Sequence, residues 1–305
     1  MMGRALVTGA YGFLGRHVAR AAAAAGWEVH GLGHGAWARD EWRAWGIAEW
    51  HDGDVTLDTL EAHGRDPDLI VHCAGSGSVA FSIAHPRQDF ARSAVTTLDT
   101  LEYIRLHCPR TTLVLPSSAG VYGQVETLPI AVTAPLRPIS PYGMNKKIGE
   151  DLTRSYAATF GINTAVVRLF SVYGPELRKQ LLWDACRRLS RGEVSFGGTG
   201  DEQRDWIHVE DAAALMLAAA TAASSACPIA NGAAGVGVPT RHIVETLARL
   251  LGTGMQPQFS GEVRAGDPPH YIADVAEAHD WGWRPRRALD DGLAEYAAWF
   301  RDQAV

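Results

Sequence analysis

The run Ala5-Leu6-Val7-Thr8-Gly9-Ala10-Tyr11-Gly12-Phe13-Leu14-Gly15 constrains the fold of this chain more than any other segment. A short apolar stretch, three glycines at intervals of three, and an Ala-rich stretch from about Phe13 to Ala25 closed by Gly26 spell a strand, a tight turn and a helix. Glycine at 9 permits the turn, glycine at 12 lets a pyrophosphate approach the backbone, and glycine at 15 lets the helix pack on the strand. The helix N-terminus then offers free N–H groups and a positive dipole end to an anion. The turn predicts a dinucleotide site, with Gly9, Gly12, Phe13, Leu14 and Gly15 in contact with the cofactor.

Apolar runs and helical stretches go on alternating through DLIVHCA (68–74), an amphipathic stretch from Pro86 to His107, TLVLPSS (112–118), a helix from about Pro141 to Phe160, and TAVVRLF (164–170). Strands that read as continuous apolar runs belong to a parallel sheet covered on both faces. After Phe170 the rhythm changes to a helical stretch near 177–191, a Gly-rich segment at FGGTGDEQRDW, a helix near 209–222 and a Gly/Pro-punctuated C-terminal third. The predicted fold is an α/β, Rossmann-like doubly wound parallel sheet with a smaller mixed α/β substrate domain. The dinucleotide-binding domain is expected over 1–170 with about 207–231, and the second domain over about 171–206 and 232–305. At 305 residues the chain has room for about two domains of ~150 residues.

Composition narrows the partners. The charge of −6, from 34 acidic and 28 basic residues, and a pI near 6.0 argue against a nucleic-acid surface built on bulk charge. The longest apolar tract, Ala212–Ala223, is too short to span a bilayer, and MMGRALVTGA lacks the apolar core of a signal peptide. A cytoplasmic protein with no membrane partner is expected. Cys73, Cys108, Cys186 and Cys227 show neither CxxC spacing nor a histidine cluster and read as reduced, buried thiols, with no metal site.

An NAD site usually places Asp or Glu at the end of the second strand to hold the adenine ribose. Here Trp27–Leu32 ends in Gly33-His34-Gly35, without an acid. The missing carboxylate favours NADP(H) over NAD(H), with His34 and Arg39, and further Arg16, as candidates to meet a 2′-phosphate. Asp54 and Val55 are placed to meet the adenine ring, or Asp54 simply caps a helix. Tyr142 and Lys146, four residues apart, share one helix face. A neighbouring ammonium favours phenolate and so brings a tyrosine toward acid–base work. The strand TLVLPSS delivers Ser117-Ser118-Ala119-Gly120-Val121-Tyr122-Gly123 to the sheet's C-terminal edge, where such folds bind ligands.

These segments, with PYGMNK, RLFSVYGP (168–175), GDEQRDWIHVEDAA (200–213), RAGDPPHYIAD and WGWRP in order along nearly the whole chain, resemble the extended short-chain dehydrogenase/reductases of the nucleotide-sugar epimerase/dehydratase/reductase group. The resemblance implies that Tyr142 is the general acid/base, that Lys146 holds the nicotinamide ribose and depresses the tyrosine pKa, and that Ser118 hydrogen-bonds the reacting oxygen. It implies cofactor contacts at Ala74 and Gly75, substrate contacts at Ser78, Ser118 and Ser171, and a nucleoside-diphosphate sugar gripped by Arg204 and Arg264 through bidentate guanidinium geometry. A homodimer through the helices near 86–107 and 141–160 follows from the same resemblance.

Departures from that pattern select among activities. Where 4,6-dehydratases carry an Asp-Glu pair, this chain has Ala119 and Gly120, which disfavours dehydration and also decarboxylation. Ser93 and Ser171 stand where the family pattern has Asn. Two activities remain: an NADPH-dependent 4-ketoreductase acting on a 4-keto (deoxy)sugar nucleotide, favoured by the missing acid, and a 4-epimerase with tightly bound NAD. A non-catalytic dinucleotide sensor is the remote alternative, since Tyr142, Lys146 and Ser118 are all retained. Trp37, Trp42, Trp45 and Trp50 are assigned to packing, His208 to structure, and Glu150 to a pair with Lys146 or to solvent.

Overall fold

The apolar runs of the first 170 residues need cover on both faces, and they find it in one parallel sheet. The computed structural model describes residues 3–262 and 270–303. In chain order its first elements are β1 (Arg4–Thr8), α1 (Phe13–Ala24), β2 (Glu28–Gly33), β3 (Ile47–Asp52), α2 (Leu57–His63), β4 (Leu69–His72), α3 (Val79–Ala84), α4 (Pro86–Phe90), α5 (Thr96–His107), β5 (Thr112–Ser118), α6 (Pro141–Phe160) and β6 (Thr164–Leu169). Then follow β7 (Ser171–Tyr173), α7 (Gln180–Ser190), β8 (Ser195–Phe196), β9 (Gln203–His208), α8 (Val209–Ala222), β10 (Ile229–Gly232), β11 (Gly237–Pro239), α9 (Thr240–Leu251), β12 (Gln258–Phe259), β13 (His270–Tyr271), α10 (Ala276–Asp280) and α11 (Leu289–Arg301).

Seven strands pair in the order β10-β6-β5-β4-β1-β2-β3, every neighbour parallel. Strand order reverses between β1 and β4, and ligands bind such sheets at the C-terminal ends of the strands beside that reversal. On one face α1 and α8 pack with buried alanines, Ala19 and Ala22 against Ala212, Ala213 and Ala219, so the backbones come close. On the other face Leu60 of α2 and Leu101 and Ile104 of α5 cover Leu6, Ile70 and Leu113 of the sheet. Fully burying one Leu or Ile stabilises by roughly 1.5–3 kcal/mol. The smaller lobe has its own core, in which Leu182 and Leu189 of α7, Ile243 and Leu247 of α9, and Leu293, Tyr296 and Phe300 of α11 meet. There β9 pairs with β7, β11 and β13.

Two local features position the site. Helix α6 begins where the sequence predicts, because Ser140 accepts a hydrogen bond from the Gly143 N–H and Pro141 occupies the first turn, and it ends at Gly161 in the left-handed region. The stretch 86–107 is not one uniform helix: residues Ala91–Val95 widen into a π turn between α4 and α5. Such turns recur at functional sites. This one brings the Arg92 carbonyl and the Ser93 hydroxyl toward Gly75.

Candidate active site

The glycine turn is closely packed by its own backbone and by the residues just past β4. Gly9 has φ +67, and a side chain there would strike the backbone of Ala74 at 2.7 Å. A Cβ at Gly15 would lie 2.2 Å from the Gly9 carbonyl oxygen and 2.8 Å from the Ala10 Cα. At Gly12, which caps α1, a Cβ would meet only the Gly9 oxygen, at 3.1 Å. The cradle therefore needs glycine at 9 and 15 for its own shape, and at 12 it leaves the open side toward the cavity. These residues fit a dinucleotide pyrophosphate resting on the N-terminus of α1.

Gly12, Phe13, Leu14 and Gly15 line a cavity of about 240 Å³ together with Gly75, Ser118, Tyr142 and Lys146. Four strand ends converge there: β1 through the turn, β4 through Gly75, β5 through Ser118, and β6 through Phe170. Among the described residues, none that lines it is Asp or Glu. The Lys146 ammonium donates to the Pro116 carbonyl at 3.0 Å, and burial lowers its pKa. Burial raises the Tyr142 phenol; the Ser118 hydroxyl opposes that shift by hydrogen bonding, and the Asp89 carboxylate adds to it. In this state burial, rather than Lys146, dominates the tyrosine, which differs from the sequence expectation. The Ser118 hydroxyl also accepts from the Gly120 N–H at 3.1 Å, which fixes its rotamer. His72 and Cys73 of the same wall are neutral, since burial pushes the imidazole down to about 3 and the thiol up to about 12.

A second, larger cavity of about 540 Å³ opens in the smaller lobe. Ser171, Arg204, Trp206, Phe196, Phe259 and His270 are among its walls, and Gln180 belongs to both cavities. Gln180 holds φ +66, an uncommon conformation for a side-chain-bearing residue. Beside it, Lys179 enters the smaller cavity, where its Nζ would lie 3.1 Å from a Cβ at Gly77. Among the described residues no carboxylate partners this amine, and desolvation lowers its pKa. Sequence reasoning passed over Lys179 and Gln180; the available signal was a polar pair at the start of an amphipathic helix.

Several predicted residues sit elsewhere or are already engaged. Arg16 is buried, donates to the Tyr11 carbonyl and pairs with Glu176 at 3.0 Å, so it has no free reach to a 2′-phosphate. His34 is exposed and hydrogen-bonds Asp54 at 2.6 Å. Arg39 is exposed at φ +50, and Val55 is buried beneath the loop. Beside the acid-free end of β2, Gly33 pairs with Asp52 of β3, whose carboxylate accepts from the Gly35 N–H at 3.2 Å. Ala74 donates its N–H to Thr8. The Ser78 hydroxyl caps α3 by accepting from the Phe81 N–H and lines neither cavity. Glu150 pairs with neither Lys146 nor solvent; it is fully buried and bound to Arg168 at 2.8 Å. Arg264 lies outside the described residues. All four cysteines are free; Cys108, Cys186 and Cys227 are buried as expected, whereas Cys73 is only half-buried at the cavity wall, and no described helix is long and apolar enough to cross a membrane.

The architecture and the order of motifs agree with known proteins. Residues 5–230 match the model of the NAD dependent epimerase/dehydratase family. A UDP-glucose 4-epimerase of Streptomyces lividans is 31% identical across 94% of this chain and 93% of its own length. Among solved structures, a UDP-glucose 4-epimerase from Thermotoga maritima with UDP-glucose superposes with a TM-score of 0.87 at 26% identity, covering 98% of each chain. MoeE5 in complex with UDP-glucuronic acid and NAD superposes with a TM-score of 0.86 at 27% identity, covering 98% of this chain and 99% of that one. The chain carries the extended short-chain dehydrogenase/reductase fold and belongs to the NAD-dependent epimerase/dehydratase family.

Proposed function

We propose that this protein is a nucleotide-sugar 4-epimerase that keeps its NAD bound through the catalytic cycle. The observation that carries this is the composition of the small cavity. A glycine cradle for pyrophosphate and the Ser118, Tyr142 and Lys146 side chains line one space to which, among the described residues, no carboxylate contributes. Dehydration across C5–C6 calls for an added acid and base, whereas epimerisation at C4 needs one proton-transfer group and one hydride carrier. Bound NAD supplies the hydride acceptor and donor. Tyr142 takes the proton from the C4 hydroxyl and returns it, Ser118 holds that oxygen, and Lys146 keeps its positive charge beside the phenol.

The choice of NAD over NADP(H), and with it the epimerase over the ketoreductase, is supported by the corner beyond β2. Asp52 and Asp54 stand there, and His34 already binds Asp54. Two carboxylates repel a 2′-phosphate, and Arg16 is engaged with Glu176. Asp54 and Val55 remain assigned to adenine, and Ala74 and Gly75 to the nicotinamide end. The larger cavity takes the nucleoside, its aromatic walls stacking on the base. Arg204, Lys179 and, beyond the described residues, Arg264 hold the diphosphate, and Ser171 contacts the substrate where the cavities meet. The UDP-sugar relatives support a UDP-hexose substrate. Phe90, Val95, Leu98 and Met144 leave an apolar face exposed on α4 through α6, which supports a homodimer.

The test is to denature the purified protein and identify the released dinucleotide by mass spectrometry. Near-stoichiometric NAD is expected. Empty sites that bind NADPH far more tightly than NADH refute the epimerase and restore the ketoreductase.

A further inference from the structure

Two carboxylates are buried against α6, and they are treated differently. Glu150, fully buried, is balanced by Arg168 and accepts a hydrogen bond from Ser117 at 2.5 Å. Asp89 of α4 is also fully buried, yet among the described residues its side chain has one polar contact, the Asn145 amide donating to Oδ2 at 2.7 Å. Its Oδ1 has no partner, and no described cation forms an ion pair with it. An isolated buried carboxylate is costly unless it takes up a proton or a positive charge lies near it.

The surrounding charges leave one candidate. On the π turn that follows α4, Arg92 is exposed and lies over the Phe81 ring at 5.0 Å, and His85 and Arg87 are exposed. From α3 comes the uncharged Ser82. From α6 come Tyr142, Asn145 and Lys146, because Asn145 precedes Lys146 and lies one turn after Tyr142 on the helix that α4 packs against. Lys146 in turn faces neutral His72 of β4 and Cys73 just past it, the Pro116 carbonyl from β5, and Glu150, which Arg168 already neutralises. Lys179 also enters this cavity without a carboxylate partner among the described residues, but Lys146 is the amine on the helix that holds Asp89 through Asn145.

We propose that Asp89 is a positioning residue for the Tyr142–Lys146 pair: held by Asn145, its carboxylate is the counter-charge that keeps Lys146 an ammonium and sets the pH range over which Tyr142 exchanges its proton. This rests on the acid–base roles given to Tyr142 and Lys146 above. Asp89 favours the charged form of Lys146 and disfavours the phenolate of Tyr142. Removing its charge therefore lowers both pKa values, and the whole window moves to lower pH.

The test is Asp89→Asn, which keeps size and a hydrogen-bonding group for Asn145, together with Asp89→Ser, which removes the charge without placing an amide there. Tyr142 ionisation is read by ultraviolet difference titration of each protein against its Tyr142→Phe counterpart, without substrate, and the pH profile of sugar conversion is recorded separately. Both variants are expected to move the titration and both limbs of the profile down by half a unit or more, about threefold in rate at a fixed pH on either limb. Midpoints that stay in place while the rate falls assign Asp89 a structural role and overturn the proposal. If wild type converts no nucleotide sugar, the functional reading fails while the tyrosine titration still decides the role of Asp89.

Discussion

The buried pair Glu150–Arg168 ties β6 to α6, the helix of Tyr142 and Lys146, and its removal has a calculable consequence. Arg168 of β6 is 2% exposed and Glu150 of α6 is fully buried. The guanidinium also donates to the Tyr122 hydroxyl and the Val132 carbonyl, and Ser117 of β5 donates to the same Glu150 carboxylate. Glu150→Leu leaves the Arg168 charge buried without a counter-ion, which costs about 3–5 kcal/mol. Unfolding entropy is about 2.1 cal/mol/K per residue, so for a chain of this length the loss lowers Tm by about 5–8 °C. Replacing both partners, in Glu150→Leu with Arg168→Met, removes the stranded charge and is expected to restore more than half of that drop. The assay is calorimetric or circular-dichroism melting of the two single variants and the double variant at matched dinucleotide load, since bound ligand adds its own stabilisation. Additive losses in the double variant would refute the claim that the two groups act as one buried ion pair.

Three further outcomes follow from the site. Tyr142→Phe lowers turnover on the order of 10²-fold or more and leaves dinucleotide binding nearly intact; near-normal turnover removes Tyr142 from the mechanism. Gly15→Ala drives a methyl to within 2.2 Å of the Gly9 oxygen, so it costs about 1–3 kcal/mol or more of stability, and the purified protein carries little dinucleotide; full loading contradicts the cradle. Lys179→Met, which removes an amine from the cavity wall, raises KM for the nucleotide sugar by about tenfold, the equivalent of one charge-assisted hydrogen bond of ~1.4 kcal/mol or more. An unchanged KM places the diphosphate elsewhere.

What the sequence made legible was local. The strand, glycine turn and helix at 5–24 follow from spacing alone, and so does the pairing of Tyr142 and Lys146 on one helix face, because both depend on neighbours within a turn or two. The start of α6 was legible for the same reason, through Ser140 and Pro141. What stayed hidden depends on contacts across the fold. Gly33 showed that β2 ends without an acid, but the carboxylate that fills this corner comes from Asp52, placed there by strand register. Arg16 looked available until the fold brought Glu176 to it from 160 residues away. Glu150 and Arg168, on separate elements, and Asp89 and Asn145, 56 residues apart, meet only because α4, α6 and β6 pack together. The π turn at 91–95 was not legible because it is set by how α4 and α5 pack against α6.

The central claim is that one tightly held dinucleotide serves both directions of reaction at C4. Purified protein should therefore be incubated with UDP-glucose in D2O, without added nicotinamide cofactor, and the sugar followed by NMR. The account predicts that the 4-epimer accumulates while its C4 position keeps the original hydrogen. No epimer without added cofactor, or an epimer carrying solvent deuterium at C4, would contradict it.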